Sequence, residues 1–517
     1  MDNSIGIYIH VPFCKSKCFY CDFNSYSGKE KLAGPYFNTL FSEIKGRSRI
    51  IGDRPVKTIF IGGGTPSFVE PHYISELLEL CSKFFKIDAG AEISMESNPG
   101  TMDIEKLKLY RKAGINRLSI GLQAWQDRLL SLIGRIHTKQ QYVENFEAAA
   151  EAGFDNINTD LIFGLPEQSF EDWQETLENV IRLGSKKGLK HLSCYSLQIE
   201  EGTEFGRCFD EGLLKPVDDE LDRRMYRYAV DFLNGNGFKQ YEISNFSEPG
   251  FECRHNLIYW KAREYAGFGA GAHSYLNKMR FSDPVDIIEY INWVNKNINM
   301  LKEYKIRVGR GTDGVNGNLD CVGVNTDNVN GNRDRWNSNA DRVNVNSLDA
   351  SSDVDHCNSK PCIVTQNTES KEVMPEQTSY ININAEKEIS EMFNEDASWK
   401  PQGEIEYIGK TEAMSEYMIL GLRLTEGISS SEFEERFGVS LQMVYGDKLT
   451  KLIREGLMDV SRETKEMDGF ERSKGHQDSV TGFEQSKGNQ DSMDCRSRYR
   501  LTRMGLDMAN KAFVEFI

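Results

Sequence analysis

The sequence predicts an α/β fold built on a parallel sheet, followed by a smaller helical domain. Three observations carry that prediction. Short β-rich runs alternate with helical patterns over the first 200 residues. Glycine and polar side chains gather where those runs end. After residue 400 the apolar spacing turns helical.

The β-rich runs lie at Ile5 to Ile9, Val56 to Ile61, Glu92 to Glu96, Arg117 to Ile120, Ile157 to Phe163 and His191 to Leu197. Between them, apolar residues recur at helical spacing: Ile74, Leu77, Leu78 and Phe85, then Leu122, Trp125, Leu129, Leu132 and Ile133, then Phe170, Trp173, Leu177 and Val180. Strands joined through helices run parallel with right-handed crossovers. An open sheet and a curved partial barrel both satisfy this pattern. In either, the reactive groups belong beyond the C-terminal strand ends. The first run leads into Cys14, Cys18 and Cys21, and the second ends in Gly62-Gly63-Gly64-Thr65-Pro66. The third ends at Glu96, the fourth is followed by Gln123, and the fifth carries Asp160.

The average composition hides two polar tracts. The chain has 517 residues and only 39% apolar side chains, and its mean hydropathy is -0.53. From Asn316 to Asn346 there are ten asparagines in 31 residues, with no helical or strand period. Such a tract buries too little apolar area to offset ordering entropy, which predicts a disordered insertion over residues 306–400. Between 462 and 497 a 13-residue unit is nearly duplicated, Gly469 to Gly475 and again Gly482 to Gly488, as expected of an expanded surface loop. The net charge of −17 gives no attraction to phosphate backbones, so nucleic acid is not an expected partner. Met1 to Ser4 carry neither a basic secretory segment nor an arginine-rich transit pattern, so a cytoplasmic protein is expected. Eleven cysteines without a secretion signal point to reduced thiols, some of them ligands.

Cys14-Lys15-Ser16-Lys17-Cys18-Phe19-Tyr20-Cys21 places three thiols within eight residues. Thiolates suit zinc or iron–sulfur clusters. Structural zinc takes four ligands, usually from two pairs, and the chain has no second C-x-x-C. Three thiolates on a cubane would leave one iron open to another ligand. On these residues alone, a zinc module and free thiols stay as alternatives.

C-x3-C-x2-C with an aromatic residue before the last cysteine, after the first strand of an α/β unit, resembles the signature of radical S-adenosylmethionine (SAM) proteins. The longer string Tyr8-Ile9-His10-Val11-Pro12-Phe13-Cys14, with Gly62 to Pro66, resembles the coproporphyrinogen III oxidase-like branch. The resemblance implies a partial (β/α)6 barrel over residues 1–235, with an extension over 236–305 and a C-terminal domain over 401–517. It implies a [4Fe–4S] cluster on Cys14, Cys18 and Cys21, with SAM on the fourth iron. Gly63, Gly64 and Thr65 would approach the SAM methionyl group, Tyr8 and Tyr20 would pack near SAM, and Glu96 would accept a hydrogen bond from it. Gln123, Arg135 and Asp160 match residues that contact a second SAM in the related oxidase.

Three features favour a haem-handling member of this branch over a decarboxylase. The oxidase carries a fourth cysteine where this chain has Asp22-Phe23-Asn24. Its N-terminal extension has no counterpart ahead of a first strand at about Ile5. His255-Asn256-Leu257-Ile258-Tyr259-Trp260 is similar to the H-N-x-x-Y-W motif of HemW-type haem chaperones. The implied partners are haem, haem-accepting proteins (membrane respiratory proteins among them) and an electron donor. A transient membrane association and a homodimer are further expectations, and coproporphyrinogen oxidase activity is expected to be absent. Imidazole is a common axial haem ligand, so His255 is the candidate ligand, with Cys253 as rival and His273 as a weaker candidate. Cys81 and Cys194 read as core thiols, and Cys321, His356, Cys357 and Cys362 fall in the insertion. Phe433, Phe437, Leu449, Leu452 and Leu457 pattern a helical or winged-helix-like cap, resuming at Leu501-Thr502 with Gly505 and Asn510, and expected over the barrel mouth.

Overall fold

A computed structural model describes residues 3–184, 187–298, 405–462 and 496–517. The Asn-rich tract, the duplicated unit and Cys321, His356, Cys357 and Cys362 lie outside the described residues.

Six strands form the parallel core: β1 (Ile5–Val11), β2 (Pro55–Gly63), β3 (Lys86–Ser97), β4 (Arg117–Gln123), β5 (Ile157–Phe163) and β6 (Leu189–Ser196). They pair in sequence order, each parallel to the next. Successive side chains point to opposite faces of a strand, and the two faces differ in chemistry. Ile7, Ile9, Ile59, Ile61, Met95, Leu118, Ile120, Ile157, Leu161 and Leu192 are buried in one apolar core with the helices that cover the sheet. Tyr8, His10, Thr58, Glu96, Ser119, Asn158, Asp160 and His191 occupy the alternate positions, and hydrogen bonds link several of them across the strands. The inner face of the arc is therefore polar.

The segment after residue 236 does not simply lengthen the barrel. It splits between the two edges of a twelve-stranded sheet. β7 (Lys239–Glu242) and β8 (Asn245–Ser247) pair antiparallel beyond β6. β9 (Tyr265–Phe268) pairs parallel with β1, and β10 (His273–Leu276), β11 (Met279–Ser282) and β12 (Glu406–Tyr407) follow antiparallel. A buried cluster fastens this edge. Arg47 bonds Asp283 at 3.0 Å and pairs with Glu43, whose second oxygen accepts from Gly269 N–H at 3.0 Å and Tyr290 O–H at 2.6 Å.

Two element boundaries differ from expectation. Leu122 belongs to β4, and the helix after it spans only Asp127–Leu132, because Gln123 turns the chain with φ +74°. β3 begins six residues early, at Lys86, where a polar, exposed stretch pairs with the start of β2.

The C-terminal domain has helix, strand, helix, helix, strand, strand order: Lys410–Gly421, β13 (Ile428–Ser429), Ser430–Phe437, Leu441–Arg454, β14 (Met458–Arg462) and β15 (Ser497–Leu501). The sheet order β13-β15-β14 gives it a winged-helix topology, with the polar tract entering between β14 and β15. Phe433, Phe437, Leu449, Leu452 and Leu457 lie in its own core. Its placement corrects the expectation of a cap on the mouth. Arg436 bonds the Lys261 and Ala262 carbonyls, Thr425 N–H bonds Tyr241 O at 3.0 Å, and Arg423 pairs with Glu242 at 3.4 Å. These partners neighbour the helix Arg254–Trp260, which sits at the level where Gly6, Thr58 and Glu92 pair across β1, β2 and β3, ahead of the strands' C-terminal ends. The domain therefore packs against the floor of the barrel and along the helix Asp219–Gly235, where Arg227 pairs with Asp507 at 2.7 Å. None of its described residues lines the mouth. Among the described residues no helix is long and apolar enough to cross a membrane.

Candidate functional site

A cavity of about 400 Å³ opens at the C-terminal strand ends. Cys14, Cys18 and Cys21 line it together with Tyr20, Gly63, Gly64, Thr65, Glu96, Gln123, Arg135 and Asp160. One cavity thus collects eleven of the twelve residues singled out for the cluster and SAM, all but Tyr8.

The cysteine loop and the glycine loop are bound to one another by backbone. Gly64 N–H donates to Val11 O at 2.9 Å and Thr65 N–H to Phe13 O at 2.8 Å. A Cβ on Gly64 would stand 2.8 Å from Phe13 O, so glycine is required for this approach. Gly63 has φ +108°, a left-handed conformation, and a Cβ there would meet the His10 ring at 2.4 Å. His10 is held by both nitrogens. Nε2–H donates to Asn24 O at 2.7 Å, which leaves Nδ1 to accept from Tyr8 O–H at 2.9 Å. Burial pulls His10 down to about 4, so the ring is neutral at ordinary pH. Tyr8 thereby turns toward His10 and is not among the residues lining the cavity.

The site's residues fit a thiolate-bound cluster. The Cys14 thiol contacts Thr65 Oγ1 at 3.3 Å, and burial raises both Cys14 and Cys21 above ordinary thiols. Arg135 brings its guanidinium to Cys18 Sγ at 3.6 Å while bonding Asn98 Oδ1 at 2.7 Å. Its Nε is buried with no hydrogen-bond partner, one donor left unused beside the cysteine loop. Three thiols lining one cavity are the donors an iron–sulfur cluster takes. Among the described residues no group of three or more histidine, cysteine, aspartate or glutamate side chains is set to hold a single metal ion.

Glu96 Oε2 accepts from Gly63 N–H at 3.0 Å, and burial followed by the nearby Asp160 charge raises Glu96 to about 7. Asp160 accepts from Ser119 Oγ at 2.7 Å and Asn158 Nδ2 at 2.8 Å. Sequence reasoning missed Asn98, which joins Thr65 to Arg135, and the cavity-lining His137 and Tyr195. The strand register marks Tyr195 as the inward neighbour of Ser193; nothing in the sequence marks Asn98.

The structure does not bring His255 to this cavity. His255 is 1% exposed, with Nδ1 bonded to Thr58 Oγ1 at 2.8 Å and Nε2 to Tyr259 Oη at 2.9 Å. Phe60 stacks on the ring at 5.2 Å, and burial lowers His255 to about 3. Both nitrogens of the ring are engaged in these bonds, and His255 stands apart from the cavity. Cys253 is buried, burial raises its thiol to about 12, and the thiol faces Glu92 Oε1 at 3.7 Å, away from the cavity. His273 is exposed on β10, away from the cavity. Cys81 and Cys194 are core thiols, as expected.

An arc of parallel strands whose first crossover loop carries three thiols beside a glycine turn defines a protein of the radical SAM class. The Radical SAM superfamily profile matches residues 8–180 and the HemN C-terminal domain profile residues 408–464. The chain is 38% identical over 288 residues to the haem chaperone HemW of Bacillus subtilis, covering 56% of this chain and 75% of that relative. It is 38% identical over 280 residues to HemW of Escherichia coli, covering 54% and 71%. The solved coproporphyrinogen III oxidase (HemN) of Escherichia coli shares the fold, with a TM-score of 0.63 at 17% identity over 100% of this chain and 90% of that one. The chain belongs to the HemW family.

Proposed function

We propose that the chain is a haem chaperone that holds a [4Fe–4S] cluster on Cys14, Cys18 and Cys21 and SAM in the adjoining cavity, and passes haem to haem-accepting proteins. The observation that carries this reading is the meeting of the three thiols, the Gly63–Thr65 turn, Glu96 and Arg135 with its unpartnered Nε in one cavity. A cluster held by Cys14, Cys18 and Cys21 would supply one-electron reducing chemistry to a SAM sulfonium beside it. The chain's own residues do the rest. The two bonded loops fix the thiols, Thr65 and Arg135 sit against Cys14 and Cys18, and Glu96 presents an oxygen beside the turn. The names of the relatives support haem as cargo, and the relation to HemN extends to the fold. Haem titration of the cluster-loaded full chain tests the reading. Saturable binding near one haem per chain is expected, with no vinyl product from anaerobic incubation with coproporphyrinogen III, SAM and a reductant. Vinyl product without haem binding would make the chain a decarboxylase instead.

A further inference from the structure

Behind Asp160 a file of buried hydrogen bonds runs the depth of the barrel. Asp160 is the end of the file that reaches the cavity. A carboxylate only accepts, so Asn158 must present its NH2, at 2.8 Å, and turn its Oδ1 the other way. That oxygen lies 2.6 Å from His191 Nδ1, which must therefore carry the proton. His191 is fully buried, and desolvation together with the Arg117 charge keeps it neutral. Its Nε2 is then bare and accepts from Tyr241 O–H at 2.8 Å. Tyr241 Oη in turn accepts from the Cys253 backbone N–H at 3.3 Å. Every donor in the file points toward Asp160, and the direction at each link is forced by the one before it. Ser193 Oγ adds a second donor to Asn158 Oδ1 at 3.3 Å, and Ser119 passes its own hydrogen to Asp160 Oδ2 at 2.7 Å.

We propose that His191 is a positioning residue for the cavity ligand. Through Asn158 it holds Asp160 in place as an acceptor on the cavity wall, ready for the hydroxyl or ammonium donors of a nucleoside such as SAM. The inference rests on the reading that SAM occupies this cavity. A directed chain of this kind polarises each bond in turn, and losing one link frees the groups on either side. Tyr241 is also the point where the C-terminal domain grips the barrel, through Thr425 N–H on its carbonyl and Arg423 on the next residue, Glu242. The acceptor in the mouth is thus steadied from the floor.

The test measures SAM affinity of the cluster-loaded full chain by equilibrium dialysis, alongside iron content and thermal midpoint. His191→Gln keeps one donor and one acceptor in line, and it should hold SAM within about twofold of the parent protein. His191→Leu breaks the file and should weaken SAM by about tenfold, the scale of one hydrogen bond, with iron content unchanged. Tyr241→Phe should fall between the two. Equal SAM affinity in His191→Leu and the parent protein would overturn the inference. So would equal losses of SAM affinity in His191→Gln and His191→Leu, which would mark a packing role only. If the parent protein itself binds no SAM, the reading of the cavity fails rather than the assignment of His191.

Discussion

The mouth and the floor of the barrel are both built from histidine, cysteine, tyrosine and arginine, yet the candidate ligands in them differ in their partners. At the mouth the groups are incompletely partnered. Three free thiols line a cavity, Arg135 Nε has no acceptor, and Tyr195 is 40% exposed. At the floor, where Arg117 Nε and Trp260 Nε1 are also buried without a partner, Thr58 and Tyr259 hold both nitrogens of His255, and the Cys253 thiol faces Glu92 Oε1 at 3.7 Å. Residue types alone suggest two ligand sites; partners leave one. A buried polar group already satisfied stabilises the fold, whereas one left unsatisfied costs free energy until a ligand arrives.

The sharpest way to break this contrast is to remove the thiols. Replacing any one of Cys14, Cys18 or Cys21 by alanine should abolish cluster assembly, read as loss of bound iron and sulfide after anaerobic reconstitution. The thermal midpoint of the untreated protein should barely move. The floor should respond the other way. His255→Ala removes a buried ring bonded to Thr58 and Tyr259, and should cost about 2 to 4 kcal/mol in denaturant unfolding, with haem affinity within about twofold of the parent. A large loss of haem affinity at unchanged stability would restore His255 as a ligand. Gly64→Ala comes next. It forces a Cβ against the Phe13 backbone and should cost about 1 to 3 kcal/mol, with the cysteine loop displaced.

Acid sharpens the same comparison. His10, His137, His191 and His255 are all depressed by burial, to about 4, about 3, well below the ordinary value and about 3 respectively. The unfolded chain therefore binds more protons than the folded one below the ordinary histidine value of 6.5. Stability should fall as pH drops from that value toward 4, read as a falling urea midpoint. Glu96 has the opposite sign. Raised to about 7, it takes up its proton in the folded state and favours folding less as pH rises from 4.5 to 7. A cationic ligand beside it favours the carboxylate, so SAM should bind several-fold tighter at pH 8 than at pH 6, and Glu96→Gln should flatten that slope.

Much of the mouth was legible in sequence because its chemistry is local. C-x3-C-x2-C and Gly62 to Pro66 are contiguous strings at strand ends, and the parallel fold brings strand ends together. The floor was less legible, because its partners come from distant segments. Thr58, Glu92, Tyr241 and His255 meet only once β2, β3, β7 and the helix Arg254–Trp260 are assembled. His255 beside Tyr259 reads as a ligand motif when the partners of its ring cannot be seen. The placement of the C-terminal domain was hidden for the same reason, since Arg423, Thr425 and Arg436 declare their partners only in three dimensions. The polar inner face of β4 to β6 was visible as alternation, but which residues aligned on Asp160 depended on register.

The most direct test of the mouth as a cluster and nucleoside site is anaerobic reconstitution followed by SAM titration. Full-length protein should take up about four irons and four sulfides per chain and bind SAM saturably, while the Cys14→Ala, Cys18→Ala and Cys21→Ala chains should do neither. Stoichiometric zinc in place of iron, or SAM affinity that is the same with and without the three thiols, would contradict the account.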